Sequence, residues 1–432
     1  MSPLDRRAFL TRGAAVLGAA GLGGALAADK GAANADASSA AGQSADTAAL
    51  AYRATQAELN SLIPFDGLHQ AGILEKRQAQ STFVALDSFA PDAATLAEAL
   101  GALSHRARDL TVGGAIPVLE LDAPPADSGI LGPVNAPDDL TVTIAFGASL
   151  FDGRYGLRDQ RPSELITMPT FPIDQLDPAQ SHGDVLLQIC ANERDTVIHT
   201  VRELMRTVRG ALQIRWMVDG FQGASRGPTP KNNNRNLFAF RDGTSNPDVD
   251  EPEQMRRLTW VGAGNPAWAV GGTYMIVRII RQHVEFWDRV GLNEQQQMVG
   301  RYRSSGAPLG GTSEFENPDY PSDPHGERIP LTAHIRLANP RTSATAEQRM
   351  LRRSYNYSRG YDEAGQLDQG LVFVAFNQSP SRQFVPIQTR LLNEPMIDYI
   401  TPIGGGYFFA PQGARSQADW IGSGLFPRTG TA

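Results

Sequence analysis

The sequence predicts an α+β protein of two ferredoxin-like domains, each an antiparallel sheet with helices packed on it. Three observations carry this expectation. The chain has 432 residues, 41% of them apolar and 20% charged, enough to bury two cores of similar size. From Ser81 to Val218 the pattern reads strand, helix, strand, then strand, helix, strand, the ferredoxin-like succession. A similar succession recurs from Gly272 to Phe409, without a direct sequence repeat. The expected partition is 1–49 as leader and linker, 50–220 as the N-terminal domain and 221–432 as the C-terminal domain.

In the first domain, Ser81–Asp87 is rich in strand-forming residues, and Asp92 supplies a helix cap before Ala93–Ala102. Leu140–Phe146 is a second strand, and the Asp- and Pro-rich Gly147–Gln180 reads as surface loop. Asp184–Cys190 is a third strand. Arg194–Arg209 carries Val197, Val201, Leu204 and Val208 at helical spacing, and Ala211–Val218 is a fourth strand. In the second domain, Gly272–Ile280 and Gly370–Phe376 are strands, Asn293–Gly300 starts a helix, Pro380–Leu392 includes one, and Tyr407–Phe409 closes the sheet.

The N-terminus reads as an address. Asp5-Arg6-Arg7-Ala8-Phe9-Leu10 places a twin arginine before the Ala/Gly/Leu stretch Ala14–Ala28, with small-residue cleavage options at Ala25-Leu26-Ala27 and Ala33-Asn34-Ala35. The stretch is short and Gly-rich for a bilayer span, so a twin-arginine (Tat) export signal is the preferred reading and an uncut anchor the alternative. Export in the folded state hints at a cofactor inserted beforehand. Lys30–Ala49 is an Ala/Ser/Gly-rich linker.

Composition excludes several classes. A net charge of -7 without a basic stripe argues against binding nucleic acid. The single Cys190, in an apolar run, forms no internal disulfide and reads as a buried, inert thiol. No CxxC, CxxCH or paired His/Cys spacing is present, so neither structural zinc nor covalently attached haem is indicated. A cofactor must be held without thiolates.

Three stretches carry candidate chemistry. In Ile329–Arg341, Leu331, Ala333, Ile335 and Leu337 alternate with Thr332, His334, Arg336 and Ala338, which predicts a strand with His334 and Arg336 on one face, ended by Asn339-Pro340. Locally, such a histidine is more often an ordinary hydrogen-bonded residue than a ligand. In Asn236–Pro247, Asp242-Gly243 makes a tight turn whose Asp ordinarily caps backbone amides. In Met350–Gly360, Arg352 and Arg353 ordinarily form a solvated helix face.

Together, NLFAFRDG from Asn236, HIRLANPR from His334 and Leu351-Arg352-Arg353 closely resemble the dye-decolourising peroxidase (DyP) family, and most of all its exported deferrochelatase/peroxidase branch. The resemblance extends over Asp184–Gln188, Arg281–Arg289 and Gly404–Phe409, so it covers essentially the whole mature chain. Ala239 stands where the family's GxxDG loop has its first glycine. Alanine forbids little except positive φ and very close approach, so the loop is expected to survive.

The resemblance implies one non-covalent b-type haem in the C-terminal domain. His334 would be its proximal ligand, with Asp242 and Arg352 on the distal side. The roles make physical sense. A carboxylate can carry the proton from one peroxide oxygen to the other, and a permanently charged guanidinium favours the peroxide anion and the charge that develops as the O–O bond breaks. A carboxylate on the other nitrogen of His334 would raise its donor strength; Asp398 is the residue matched to it, and it reads equally as a structural cap.

By the same matching, Gly243, Thr244 and Ser245 run over the distal face. Asn339, Pro340 and Arg341 flank the propionates with Arg352, and Arg336 is a further propionate partner. Phe373 and Phe376 are candidates for the pocket wall. His69, His105, His182, His199, His283 and His325 receive no role. Tyr355, Tyr357, Trp268 and Trp287 are available as electron relays, each equally explained by packing. The implied reaction is oxidation of one-electron donors, such as dyes and phenolics, by hydrogen peroxide through a ferryl intermediate. The alternatives are release of iron from haem with the ring left intact, or non-catalytic haem carriage. A homodimer or higher homo-oligomer, passage through the Tat translocon, a periplasmic or extracellular location and no membrane span in the mature protein complete the expectations.

Overall fold

The computed structural model describes residues 55–224, 226–227 and 233–426. The chain divides into two compact units, Met1–Gln56 and Ala57–Ala432. The expected export signal and linker lie outside the described residues.

The first half runs β1 (Gln80–Ser88), α1 (Ala93–Val112), β2 (Thr141–Gly147), β3 (Val185–Ala191), α2 (Arg194–Thr207) and β4 (Leu212–Phe221). Helix α1 starts where the sequence says, with the Asp92 carboxylate accepting the Thr95 amide at 2.8 Å. The strands pair antiparallel in the order β2-β3-β1-β4. The second half runs β5 (Thr273–Gln282), α3 (Leu292–Val299), α4 (His334–Ala338), β6 (Tyr355–Tyr361), β7 (Leu367–Asn377), α5 (Phe384–Leu391) and β8 (Ile400–Ala410), ordered β8-β5-β7-β6. Both orders are ferredoxin-like. The fold is α+β, as expected.

Two brief pairings join the halves. Phe408 and Phe409 of β8 pair with Gly147 and Phe146 of β2, and Phe221 of β4 pairs with Asn356 of β6. With β5 paired to β7, the eight strands form one closed ring. Strand alternation then divides the side chains. Phe83, Ala85, Leu186, Cys190, Val277, Tyr355, Val374, Phe376 and Phe408 fill the interior, while Val84, Leu86 and Leu187 pack outward in the cluster that includes α1 and α2. Cys190 is free and fully buried.

Two expectations about elements are corrected. Thr332–Ala338 is not a strand. His334–Ala338 is a short helix, in which the Ala333 carbonyl accepts the amides of Arg336 and Leu337 at 2.9 and 3.0 Å. Over so few residues, apolar alternation does not separate strand from helix. The missing strand is Tyr355–Tyr361, preceded by the two-residue strand Leu351–Arg352 on β7, within the stretch expected to be a helix face. Strand β6, not the histidine segment, completes the second sheet.

Candidate active site

Outside the ring, against β5 and β7 of the second half, lies a cavity with about 1570 Å³ of free space, its mouth included. Ile280 and Leu371 from the strands, with Phe384, Ile387 and Leu391 from α5, supply an apolar wall. His334, at the first position of α4, projects into it. The Glu394 carboxylate, 3% exposed, stands 2.6 Å from His334 Nδ1, which leaves Nε2 as the ring nitrogen without a partner among the described residues. Burial opposes protonation of the imidazole, but the adjacent Glu394 charge and hydrogen bond outweigh it and hold His334 above its ordinary value.

The Asn236–Pro247 loop supplies a second group. Asn236 organises the turn: its side-chain oxygen accepts the amides of Phe238 and Phe240 at 3.1 and 3.2 Å. Ala239 within it takes φ +69°, the left-handed conformation for which glycine is best suited. The loop keeps its turn with that strain built in. Beyond it, Glu314 acts as an anchor. It pairs with Arg241 at 3.2 Å, both side chains almost wholly buried, and accepts Thr244 Oγ1 at 3.1 Å and Asn233 Nδ2 at 2.7 Å.

The loop therefore presents Asp242, Gly243, Thr244 and Ser245 to the same cavity as His334. Arg352 meets Asp242 there, Nη1 to Oδ1 at 2.9 Å. Its backbone is clamped by Asn246, whose amide donates to the Arg352 carbonyl at 2.7 Å and accepts its N–H at 3.3 Å. Arg77, from the other half, donates to Ser354 O at 3.1 Å. Burial lowers its affinity for a proton, and the Asp242 charge works against that loss.

Of the predicted contacts, Asn339 and Phe373 also line the cavity. Five do not. Arg336 turns away to Asp323 and the Ile329 carbonyl, because a helix, unlike the expected strand, separates residues two apart. Pro340 is not in the wall, and Arg341 is exposed and bonded to Asn317 at 2.7 Å. Asp398 does not reach it, and the carboxylate on His334 is Glu394 instead. Phe376, one residue out of phase with Phe373 and Ala375, faces the ring interior.

Arg349 carries no distinguishing signal in the sequence. Its guanidinium has no hydrogen-bonded or ionic partner among the described residues, and it lines the cavity. Arg301 and Arg278 line it too, although Arg278 is paired with the buried Asp174. An apolar slot with one free imidazole nitrogen, a carboxylate–guanidinium pair and an arginine lacking an anion fits a flat, metal-centred, acidic macrocycle. Nothing in the donor set conflicts with haem.

Comparison with known proteins decides the family. Residues 70–222 match the N-terminal and residues 233–415 the C-terminal model of the Dyp-type peroxidases. The chain belongs to the DyP-type peroxidase family. As such it is a haem-binding peroxidase, an oxidoreductase. Similar curated proteins include the deferrochelatase of Yersinia pestis, 44% identical over 432 residues with 98% of this chain and 95% of that one covered. The deferrochelatase of Escherichia coli K12 is 48% identical over 373 residues, covering 85% and 88%. Among solved structures, the DyP-type peroxidase from Cellulomonas bogoriensis superposes with TM-score 0.76 at 34% identity, covering 85% of this chain and 99% of that one. Ferric DtpA from Streptomyces lividans gives 0.75 at 34%, covering 85% and 97%. Among the described residues, no helix of this DyP-type peroxidase is long and apolar enough to cross a membrane.

Proposed function

We propose that this peroxidase holds one b-type haem per chain, non-covalently, and reduces hydrogen peroxide at the expense of one-electron donors such as phenolics and dyes. The observation that carries the reading is the Asp242–Arg352 pair at 2.9 Å in the cavity that His334 enters. Bound haem would supply the iron and the electrons for peroxide cleavage. His334, oriented by Glu394 through Nδ1, would hold the iron through its other ring nitrogen. Asp242 takes the proton from one peroxide oxygen and returns it to the other, directly or through one water. Arg352 stabilises the anionic charge that appears on the departing oxygen, in a cavity where apolar walls exclude competing water. Arg349, free of other anions, would neutralise a propionate.

The test compares the peroxide reaction of haem-loaded wild type with Asp242→Ala and Arg352→Leu. Each substitution should slow it by roughly 10²–10⁴-fold with haem retained, and wild-type rates in both variants would refute these roles. A second reading is favoured by the relatives at 44–48% identity, which are named deferrochelatases: removal of iron from haem with the porphyrin intact. Incubation with haem under reducing, peroxide-free conditions should then yield fluorescent protoporphyrin, and its absence removes this reading. The twin arginine supports Tat export to the periplasm or beyond, and family membership supports assembly as a homodimer or larger homo-oligomer.

A further inference from the structure

Arg77 belongs to the first half of the chain, yet its head group lies against the Asp242 loop of the second. It precedes β1, and the backbone beside it is fixed: Ala79 O accepts the Gln222 amide at 2.8 Å, and the buried Gln78 side chain donates to Asp139 O at 2.8 Å. From there the guanidinium crosses to the second half. Nη1 donates to Ser354 O at 3.1 Å, and Nη2 stands 3.5 Å from the position a Cβ on Gly243 would take. Gly243 directly follows Asp242.

Positive charge is in excess here. Among the described residues, Asp242 is the one carboxylate within salt-bridge distance of any of the guanidiniums Arg77, Arg352 and Arg353, and it meets Arg352. Arg353, 3% exposed, donates to the Glu75 carbonyl and to Gln78 Oε1 at 3.2 Å, and its Nε has no partner. The remaining charges facing Asp242 are engaged elsewhere: Arg241 with Glu314, His334 with Glu394, and Arg301 with the carbonyls of Gly306 and Glu314. The Glu75 carboxylate accepts the Gly72 amide at 2.7 Å. Burying a cation without an anion is costly. For Arg77, burial is the largest influence on its proton affinity and the Asp242 charge the largest one opposing it. Such an attraction is mutual.

We propose that Arg77 is a positioning residue for the peroxide reaction, its charge favouring the carboxylate form of Asp242 while Arg352 is engaged by the departing oxygen. Asp242 must be ionised to accept the peroxide proton, and an apolar wall disfavours any charge beside it. Arg352 alone faces two tasks. As negative charge develops on the departing oxygen, that oxygen competes with Asp242 for the Arg352 guanidinium. Arg77 escapes the competition, because it is not part of the cavity wall and is held on Ser354 O. Its field serves Asp242. Arg77 itself neither gains nor loses a proton, and the inference rests on the peroxidase reading proposed above.

The test is the pH dependence of the stopped-flow peroxide reaction in haem-loaded wild type, Arg77→Gln and Arg77→Lys. Glutamine keeps a donor for Ser354 O without the charge, and lysine keeps the charge. In Arg77→Gln the acid limb should move up by roughly 0.5–1 pH unit, less than the about 1–3 expected of a direct ion pair. Well below the limb the rate then falls roughly three- to tenfold, and the neutral plateau changes far less. Arg77→Lys should lie near wild type.

A second readout needs no turnover. In the full chain loaded with zinc protoporphyrin, which is diamagnetic and inert to peroxide, carboxyl 13C NMR of labelled aspartate follows Asp242 directly, its signal identified by its loss in Asp242→Asn. The titration midpoint should move up in Arg77→Gln but not in Arg194→Gln, which removes an exposed arginine at the start of α2. An acid limb and a midpoint both unmoved in Arg77→Gln would overturn the proposal. Equal displacement in Arg77→Lys would do so too, making Arg77 a structural staple between the two halves. A wild type that does not react with peroxide would sink the peroxidase reading and the role in that reaction, while the NMR titration would still report whether Arg77 acts on Asp242.

Discussion

The Glu394 carboxylate lies 2.6 Å from Nδ1 of His334, although 60 residues separate them in sequence. The pair fixes which nitrogen of the imidazole faces the cavity and how strongly it donates. Glu394→Gln keeps the shape and an acceptor oxygen while removing the charge. It should lower haem affinity or activity roughly 10–100-fold and move the iron reduction potential upward, because a less basic imidazole stabilises oxidised iron less. Asp398→Asn should change neither quantity. An unshifted potential in Glu394→Gln, or a shifted one in Asp398→Asn, would favour Asp398 as the partner of the ligand.

Ala239 occupies a conformation with φ +69°. A left-handed backbone costs an L-residue roughly 1–2 kcal/mol, partly offset because glycine loses more freedom on folding. Ala239→Gly should therefore stabilise the protein by about 0.5–1 kcal/mol, measured by urea unfolding of the haem-free chain. A loss of stability would mean that the alanine methyl packs usefully.

The chemistry is more legible in the sequence than the architecture. The DG turn, His334 and Arg352 sit in contiguous, distinctive stretches, and the fold brings all three to one cavity. Glu394 is not legible, because a glutamate after Asn393 looks like any loop acid until its burial is known, and Asp398, a little further along the chain, looks equally plausible. Arg336 is misplaced for a physical reason: a strand puts residues i and i+2 on one face, whereas the helix His334–Ala338 does not. Ring closure leaves no trace in sequence either, since it depends on pairings as short as Phe221 with Asn356.

Asp138 predicts a pH dependence. It is fully buried, and burial pushes its carboxyl up to about 6 despite a hydrogen bond from the Glu193 amide at 2.8 Å. In the unfolded chain the group titrates near its ordinary value of 3.8. Between these values the folded protein holds a proton the unfolded chain has lost. The stabilising contribution is thus complete below the unfolded value and disappears as pH rises through about 6. Asp138→Asn, which also tolerates φ +52°, should be more stable than wild type by about 1–3 kcal/mol at neutral pH and nearly equal to it near pH 4. Denaturant titrations at the two pH values check this, and an advantage independent of pH would rule out the carboxyl as its source.

Every functional role assigned above depends on His334 holding haem in this cavity and on the loaded protein reacting with peroxide. The decisive experiment is the visible absorption spectrum of purified, haem-supplied protein with and without one equivalent of peroxide, wild type beside His334→Ala. Wild type should show a Soret band that changes on adding peroxide, and in His334→Ala that band should be lost or altered. A wild type that stays colourless with haem present, or a His334→Ala spectrum identical to wild type, would contradict the assignment.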